Sequence, residues 1–169
     1  MHKVKSTYKI LASKAQQRDS AEEWIDWSLE LMEAGFESEH LIILAGLSPH
    51  LNSFEFGDIV NKALKELSLD TMSNDEMIYG YVYFLIDQTL TSKTSTKVAL
   101  KIIRDLCRER DYDKELFDFY LLAFAKEDLD EVGGQFYWQG ADINNIDAII
   151  NDKLLDWKNK YQSIVEKCA

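Results

Sequence analysis

His40 and His50 are the residues in this 169-residue chain that most invite a chemical reading, and Glu39 stands beside the first of them. An imidazole next to a carboxylate can hold a metal or relay a proton. A metal site needs several converging ligands, however, and the spacing matches neither HExxH nor any comparable ligand pattern. Surface or helix-capping roles are the expectation, with no metal and no cofactor. Carboxylates one helical turn apart, Glu22 with Asp26 and Asp26 with Glu30, could bracket a di-metal centre. That chemistry draws on Glu-x-x-His elements, which are missing, so a solvated helix face is expected instead. Cys107 and Cys168 lie far apart and form no CxxC pair, which gives no disulfide framework. Cys107 falls in an apolar helical stretch and reads as a small core residue, although Arg104, Arg108 and Arg110 flank it. Cys168 is expected to be exposed. No Gly-x-Ser-x-Gly, P-loop or dinucleotide fingerprint is present, and Gly133-Gly134 alone is a helix breaker. No catalytic residue is assigned.

A different chemistry is written between Glu127 and Asp142. Glu127, Asp128, Asp130 and Glu131 precede the glycine pair; Phe136, Tyr137, Trp138, Gln139 and Asp142 follow it. An aromatic anchor ringed by acids has the composition of an interface hot spot for a basic protein. The carboxylates would steer association, and the rings would supply rigid contact area. The expected partner-binding residues are Glu127, Asp128, Asp130, Glu131, Tyr137 and Trp138. A competing reading stays open, in which Phe136, Tyr137 and Trp138 fold inward and plug one end of a bundle.

The elements that must position these residues read as helices. The chain is 46% hydrophobic with one proline, Pro49, and seven glycines, too little punctuation for a many-turned β-protein. Val4, Tyr8 and Leu11 share one side of a first helix over 4–16. Ser20-Ala-Glu-Glu23 has the form of a capping box, opening a helix with Trp24, Trp27, Leu31 and Met32 that stops at Gly35. Ser38 begins a short helix through Leu41, Leu44 and Ala45, which must end before Pro49. Asn52-Ser-Phe-Glu55 opens the cleanest amphipathic helix, with Leu51 and Phe56 as its hydrophobic staple. Ser73-Asn-Asp-Glu76 starts a helix to Leu90 that is apolar nearly all round, hence central. Another helix follows through Val98, Ile102, Ile103 and Leu106, and Asp113 opens the next. Residues 128–142 read as an ordered loop or very short strand. Asn144 or Asn145 then caps a last helix whose seam is Ile146, Ile150, Trp157, Tyr161 and Ile164, about 35 Å long. The expected fold is all-α, a globular bundle of seven or eight helices, with a short α-solenoid as the alternative. One domain, 1–169, is expected, with 1–18 as a loosely packed basic segment.

The charge narrows the partners. The total is −11, and Lys3, Lys5, Lys9, Lys14 and Arg18 precede the first acid, Asp19. The rest of the chain therefore carries about −16. Such a surface repels nucleic acid and anionic lipid, which bind through lysine and arginine. The longest apolar run, Met77 to Ile86, is well short of the ~20 residues a membrane span needs. The basic N-terminus has no apolar core of a secretion signal. A cytoplasmic protein without membrane or nucleic-acid contacts is expected.

Trp24-Ile-Asp-Trp27 through Glu33-Ala-Gly-Phe36, Leu41-Ile-Ile-Leu-Ala-Gly-Leu47 and Tyr137-Trp138-Gln-Gly140 resemble a family of uncharacterised bacterial helical proteins. In size, charge and lack of catalytic residues the chain is also similar to toxin-immunity proteins. That resemblance implies an inhibitor of a basic partner, such as a nuclease toxin, and transfers no individual residue. The alternatives are a helical scaffold binding a peptide or helix in an apolar groove, and an enzyme whose cavity leaves no linear trace.

Overall fold

A computed structural model of the chain describes residues 4–50 and 52–164; Lys3, Leu51 and Cys168, named above, lie outside the described residues. The regular elements are α1 (Ser6–Ala15), α2 (Ala21–Glu33), α3 (Glu39–Ala45), α4 (Ser53–Glu66), α5 (Asn74–Leu90), α6 (Thr96–Glu109), α7 (Phe117–Val132) and α8 (Ile146–Lys160). A further helical turn occupies 162–164, and no strand occurs among the described residues. The fold is an all-α multi-helix bundle, as expected. Its contacts gather into two compact units, one of the residues up to Tyr81 together with those from Tyr161 onward, the other Val82–Lys160.

In the first unit the caps of α2 and α5 follow the sequence closely. Ser20 Oγ accepts from Glu23 N while Glu23 accepts from Ser20 N, both at 3.2 Å, so α2 opens on a complete capping box. Ser73 and Glu76 repeat the reciprocal pair at 3.2 and 2.9 Å before α5. Gly35, at φ +88°, ends α2 in a left-handed conformation that a side chain would strain. The inward face of α2 buries Trp24, Trp27 and Leu31, the two indoles packing edge to face at 5.2 Å. Burying such side chains contributes about 1.5–3 kcal/mol each. Their polar atoms are satisfied: Trp27 Nε1 donates to Thr7 Oγ1 at 2.9 Å, and Trp24 Nε1 to Asp19 Oδ2 at 2.7 Å. Leu41 and Leu44 of α3, then Phe56, Val60, Ala63 and Leu64 of α4, complete this core.

In the second unit α6 forms where expected, and the departures from the sequence reading lie at Asp113, at residues 128–132 and at the end of α8. α6 buries Ala99, Leu100, Ile103, Leu106 and Cys107, whereas Val98 is 50% exposed. At ~100° per residue, Val98 sits to one side of the stripe that Ile103 and Leu106 define. Asp113 does not open α7. Its Oδ1 accepts from Glu115 N and its Oδ2 from Arg110 Nε, both at 2.9 Å, so it ties off a turn that precedes Phe117. Residues 128–132 are the last turn of α7 and not a loop; the break comes only at Gly133, at φ +78°. α8 starts at Ile146, directly after Asn145 as expected, and Asp142 ties off the turn before it. Its Oδ1 accepts from Asn144 N and Asn145 N at 2.8 and 3.1 Å, and Asn145 Oδ1 accepts from Asp142 N at 2.8 Å, a capping-box geometry. α8 then stops at Lys160, which makes it about 22 Å long instead of 35 Å. Tyr161 and Ile164 pack with the first unit's core.

Candidate functional site

The segment 133–145 is built around one side chain. Gln135 Oε1 accepts from Tyr137 N at 2.7 Å and Trp138 N at 2.8 Å, while its Nε2 donates to Trp138 O at 2.7 Å and Ala141 O at 2.9 Å. An amide has two donors and two acceptor sites, and here all four are used. The loop is thereby fixed without regular secondary structure. Gln135 carries no motif, and neither helical nor strand spacing points to it.

With the loop held in this way, the three aromatics part company. Phe136 is fully exposed, at 101% of its reference area, and projects from the surface. Tyr137, 43% exposed, stacks on Phe124 of α7 at 5.3 Å. Trp138 is half-buried, with Lys153 Nζ 5.4 Å from its ring centre. The inward plug is therefore overturned for Phe136, the residue the sequence reading left out of its contact set. A large ring in a segment without periodicity has no element face to bury it, and that was the available signal.

Tyr137 also ends a row of rings along α7. Phe117 and Tyr120 stack at 5.6 Å, Tyr120 meets Phe124 edge-on at 5.1 Å, and Tyr112 packs edge-on against Tyr120 at 5.4 Å. Spacings of three and four residues put Phe117, Tyr120 and Phe124 on one face. Tyr112 holds φ +59° beside Asp111 at +52°, a left-handed pair with no glycine in it. A bulky residue in that region is strained, and it is kept here where it displays a half-exposed ring.

The acids predicted as contacts fall into two groups. Glu127 accepts from Arg104 Nη1 at 2.8 Å, and the same guanidinium lies 4.9 Å from the Phe124 ring. Asp130 pairs with Lys126 at 2.9 Å, and Lys126 also reaches Asp147 at 3.1 Å. The Asp130 bond, ahead of the one to Asp147, holds Lys126 above its ordinary pKa despite partial burial. Asp128 and Glu131 have no ion pair among the described residues. They sit in the final turns of α7, where no basic residue lies in the last turn. Peptide dipoles make a helix C-terminus negative, so both carboxylates occupy an unfavourable place. Asp142 is committed to the turn before α8.

His40 meets its carboxylate elsewhere. Glu66, at the end of α4, accepts from His40 N at 3.0 Å through one oxygen and bonds His40 Nδ1 at 2.5 Å through the other. Ser38, the expected cap of α3, makes no capping bond, so Glu66 satisfies this helix start from across the unit. The His40 bond is the main cause holding the Glu66 carboxyl below its ordinary pKa, with the nearby Ser38 hydroxyl second. One ligand atom each from Glu39, His40 and Glu66 lie within 4.8 Å of one another, but both Glu66 oxygens already serve α3. His50 is exposed, as are Glu22, Asp26 and Glu30 of the solvated α2 face. Cys107 is fully buried, and burial first, then Asp113, pushes its thiol up to about 11. The flanking arginines are engaged by carboxylates: Arg104 by Glu127, Arg108 by Asp105 and Arg110 by Asp113.

No helix among the described residues is long and apolar enough to cross a membrane. No family model, curated protein or solved structure matches the chain.

Proposed function

We propose that this chain is a protein-binding module that engages a basic protein, in the manner of an immunity or antitoxin-like inhibitor acting in the cytoplasm. Phe136 is the anchor, Tyr137 and Trp138 are its flanks, and Asp128 and Glu131 are the steering charges. The observation that carries this reading is the fully exposed Phe136 on a loop whose amide hub leaves it little freedom. A rigid aromatic loses little entropy on docking, which is what a binding hot spot requires. The uncompensated acids at the α7 C-terminus add a second support. They cost the free protein stability, and a lysine or arginine from outside would relieve that cost. Glu127 and Asp130, already paired internally, have the smaller share.

The test is capture of partners on the immobilised protein at low and high salt, beside an Asp128→Lys/Glu131→Lys variant. A basic protein retained by the wild type, lost at high salt and lost with the variant is the expected result. Retention indifferent to both would remove the electrostatic half of the reading.

The scaffold alternative keeps one observation of its own. In the first unit a groove of about 240 Å³ is lined by Trp24, Pro49, Phe56 and Val60, room for an apolar side chain of a docking peptide. Such binding would be nearly independent of ionic strength.

A further inference from the structure

α6, like α1, is a basic helix in this acidic chain. Lys97, Lys101, Arg104 and Arg108 follow one another at intervals of four, three and four, which lines them along one side of the helix. Lys97, Lys101 and Arg104, with Lys126 of α7, border a groove of about 190 Å³ whose walls include Leu100 and Ala123. The two carboxylates in the lining are spent, Glu127 on Arg104 and Asp130 on Lys126. Lys97 and Lys101 have no partner among the described residues. Other exposed lysines such as Lys9, Lys65 and Lys93 also lack an ion pair there, and what sets these two apart is the groove they border, whose carboxylates are already taken. Two ammonium groups one turn apart also repel each other.

The geometry points to an anion site in this groove, taking the phosphate group of a small phosphomonoester between Lys97 and Lys101. Lysine suits this task as a point charge, and two of them match a dianion better than a single carboxylate. Arg104 stands beside them already fixed, held between the Phe124 ring and Glu127, with guanidinium donors left over. The groove has room for roughly six waters' volume, more than a phosphate alone needs, and Leu100 and Ala123 offer apolar contact to an organic body. No residue of the loop 133–145 lines the groove, although Phe124 touches both Arg104 and Tyr137, and the anion site does not depend on the protein-binding reading. The net negative field of the molecule slows the approach of an anion. It does not cancel contacts made at hydrogen-bond distance, where screening is weakest.

The experiment is an amide NMR titration of the whole chain at fixed ionic strength with inorganic phosphate, glycerol 3-phosphate and glycerol. Saturable shifts confined to 97–104 and 123–130 are expected, with glycerol inert and the ester binding tighter than phosphate. Lys97→Gln/Lys101→Gln should weaken the ester on the order of tenfold or more. Both lysines are exposed, so the variant should keep its melting temperature. Lys62→Gln/Lys65→Gln, the same charge change on α4 away from the groove lining, should leave the affinity unchanged. Shifts that stay linear and spread over the surface, or equal affinity in the lysine variant, would overturn the site. An ester that binds no tighter than phosphate would overturn its organic ligand.

Discussion

The side chain of Gln135 grips the backbone of Trp138 on both its polar groups, accepting from the N–H at 2.8 Å and donating to the carbonyl at 2.7 Å. A glutamine used in this way replaces the backbone ladder that a strand or helix would have supplied. It also sets the chain direction on either side of Phe136. Gln135→Glu keeps the shape but loses both donors and turns a carboxylate toward the Trp138 and Ala141 carbonyls. Amide exchange across 135–141 should speed up by at least tenfold, with little change in the α6 and α7 amides. Unchanged protection in the loop would mean that something other than this amide holds it.

Removing the unpaired charges at the end of α7 should stabilise the free protein. Asp128→Asn and Glu131→Gln each relieve a negative charge at a negative helix end, worth about 0.3–1 kcal/mol at low salt. For a chain of this size that raises the melting temperature by roughly 2–4 °C per kcal/mol. Partner affinity should fall in the same variants. A rise in stability with no loss of binding would take these acids out of the interface, and no rise would remove the helix-end cost assigned to them.

Glu66 links two helices through a charge, so stability should depend on its ionisation. The folded-state carboxyl lies below its ordinary 4.5, so its contribution is fully present above that pH and is lost as pH falls through the lower, folded value. Glu66→Gln should cost about 1 kcal/mol at neutral pH, the scale of a lost helix cap, and should flatten the acid limb of the stability curve. A variant with the same acid limb as the wild type would place the pH dependence elsewhere.

Cys107 gives the opposite sign at the alkaline end. Its folded pKa is raised from 9.0 to about 11, so the protonated thiol contributes stability that is complete below 9 and lost as pH rises toward 11. In a Cys168→Ser background, the thiol should react with Ellman's reagent only as fast as the protein opens. Immediate stoichiometric reaction at pH 8 would show that Cys107 is reachable in the folded state.

The helices were largely legible because local rules wrote them. Ser20 with Glu23 and Ser73 with Glu76 are complete signals within four residues, and Gly35 and Gly133 end helices where only a left-handed residue fits. Other stops were invisible: Gln17, Ser68 and Ser92 take φ values of +57°, +58° and +58° without being glycine. The start of α3 was readable from Ser38, but the group that caps it, Glu66, is 26 residues from His40. The acidic run was visible in the sequence, yet its internal division was not, since Arg104 and Lys126 reach Glu127 and Asp130 through side-chain geometry that no sequence spacing encodes. Phe136 was seen as part of a triplet. Its separation from Tyr137 and Trp138 depends on Gln135, whose role is purely conformational.

The most direct test is a calorimetric titration of the captured basic partner against the wild type and Phe136→Ala. Because Phe136 packs on nothing in the free protein, the variant should melt at the same temperature as the wild type. Its affinity should nonetheless drop by roughly thirtyfold, the loss of about 2 kcal/mol expected of an anchoring aromatic. Equal dissociation constants for the two proteins would contradict the account, because the exposed ring would then be a bystander at the surface.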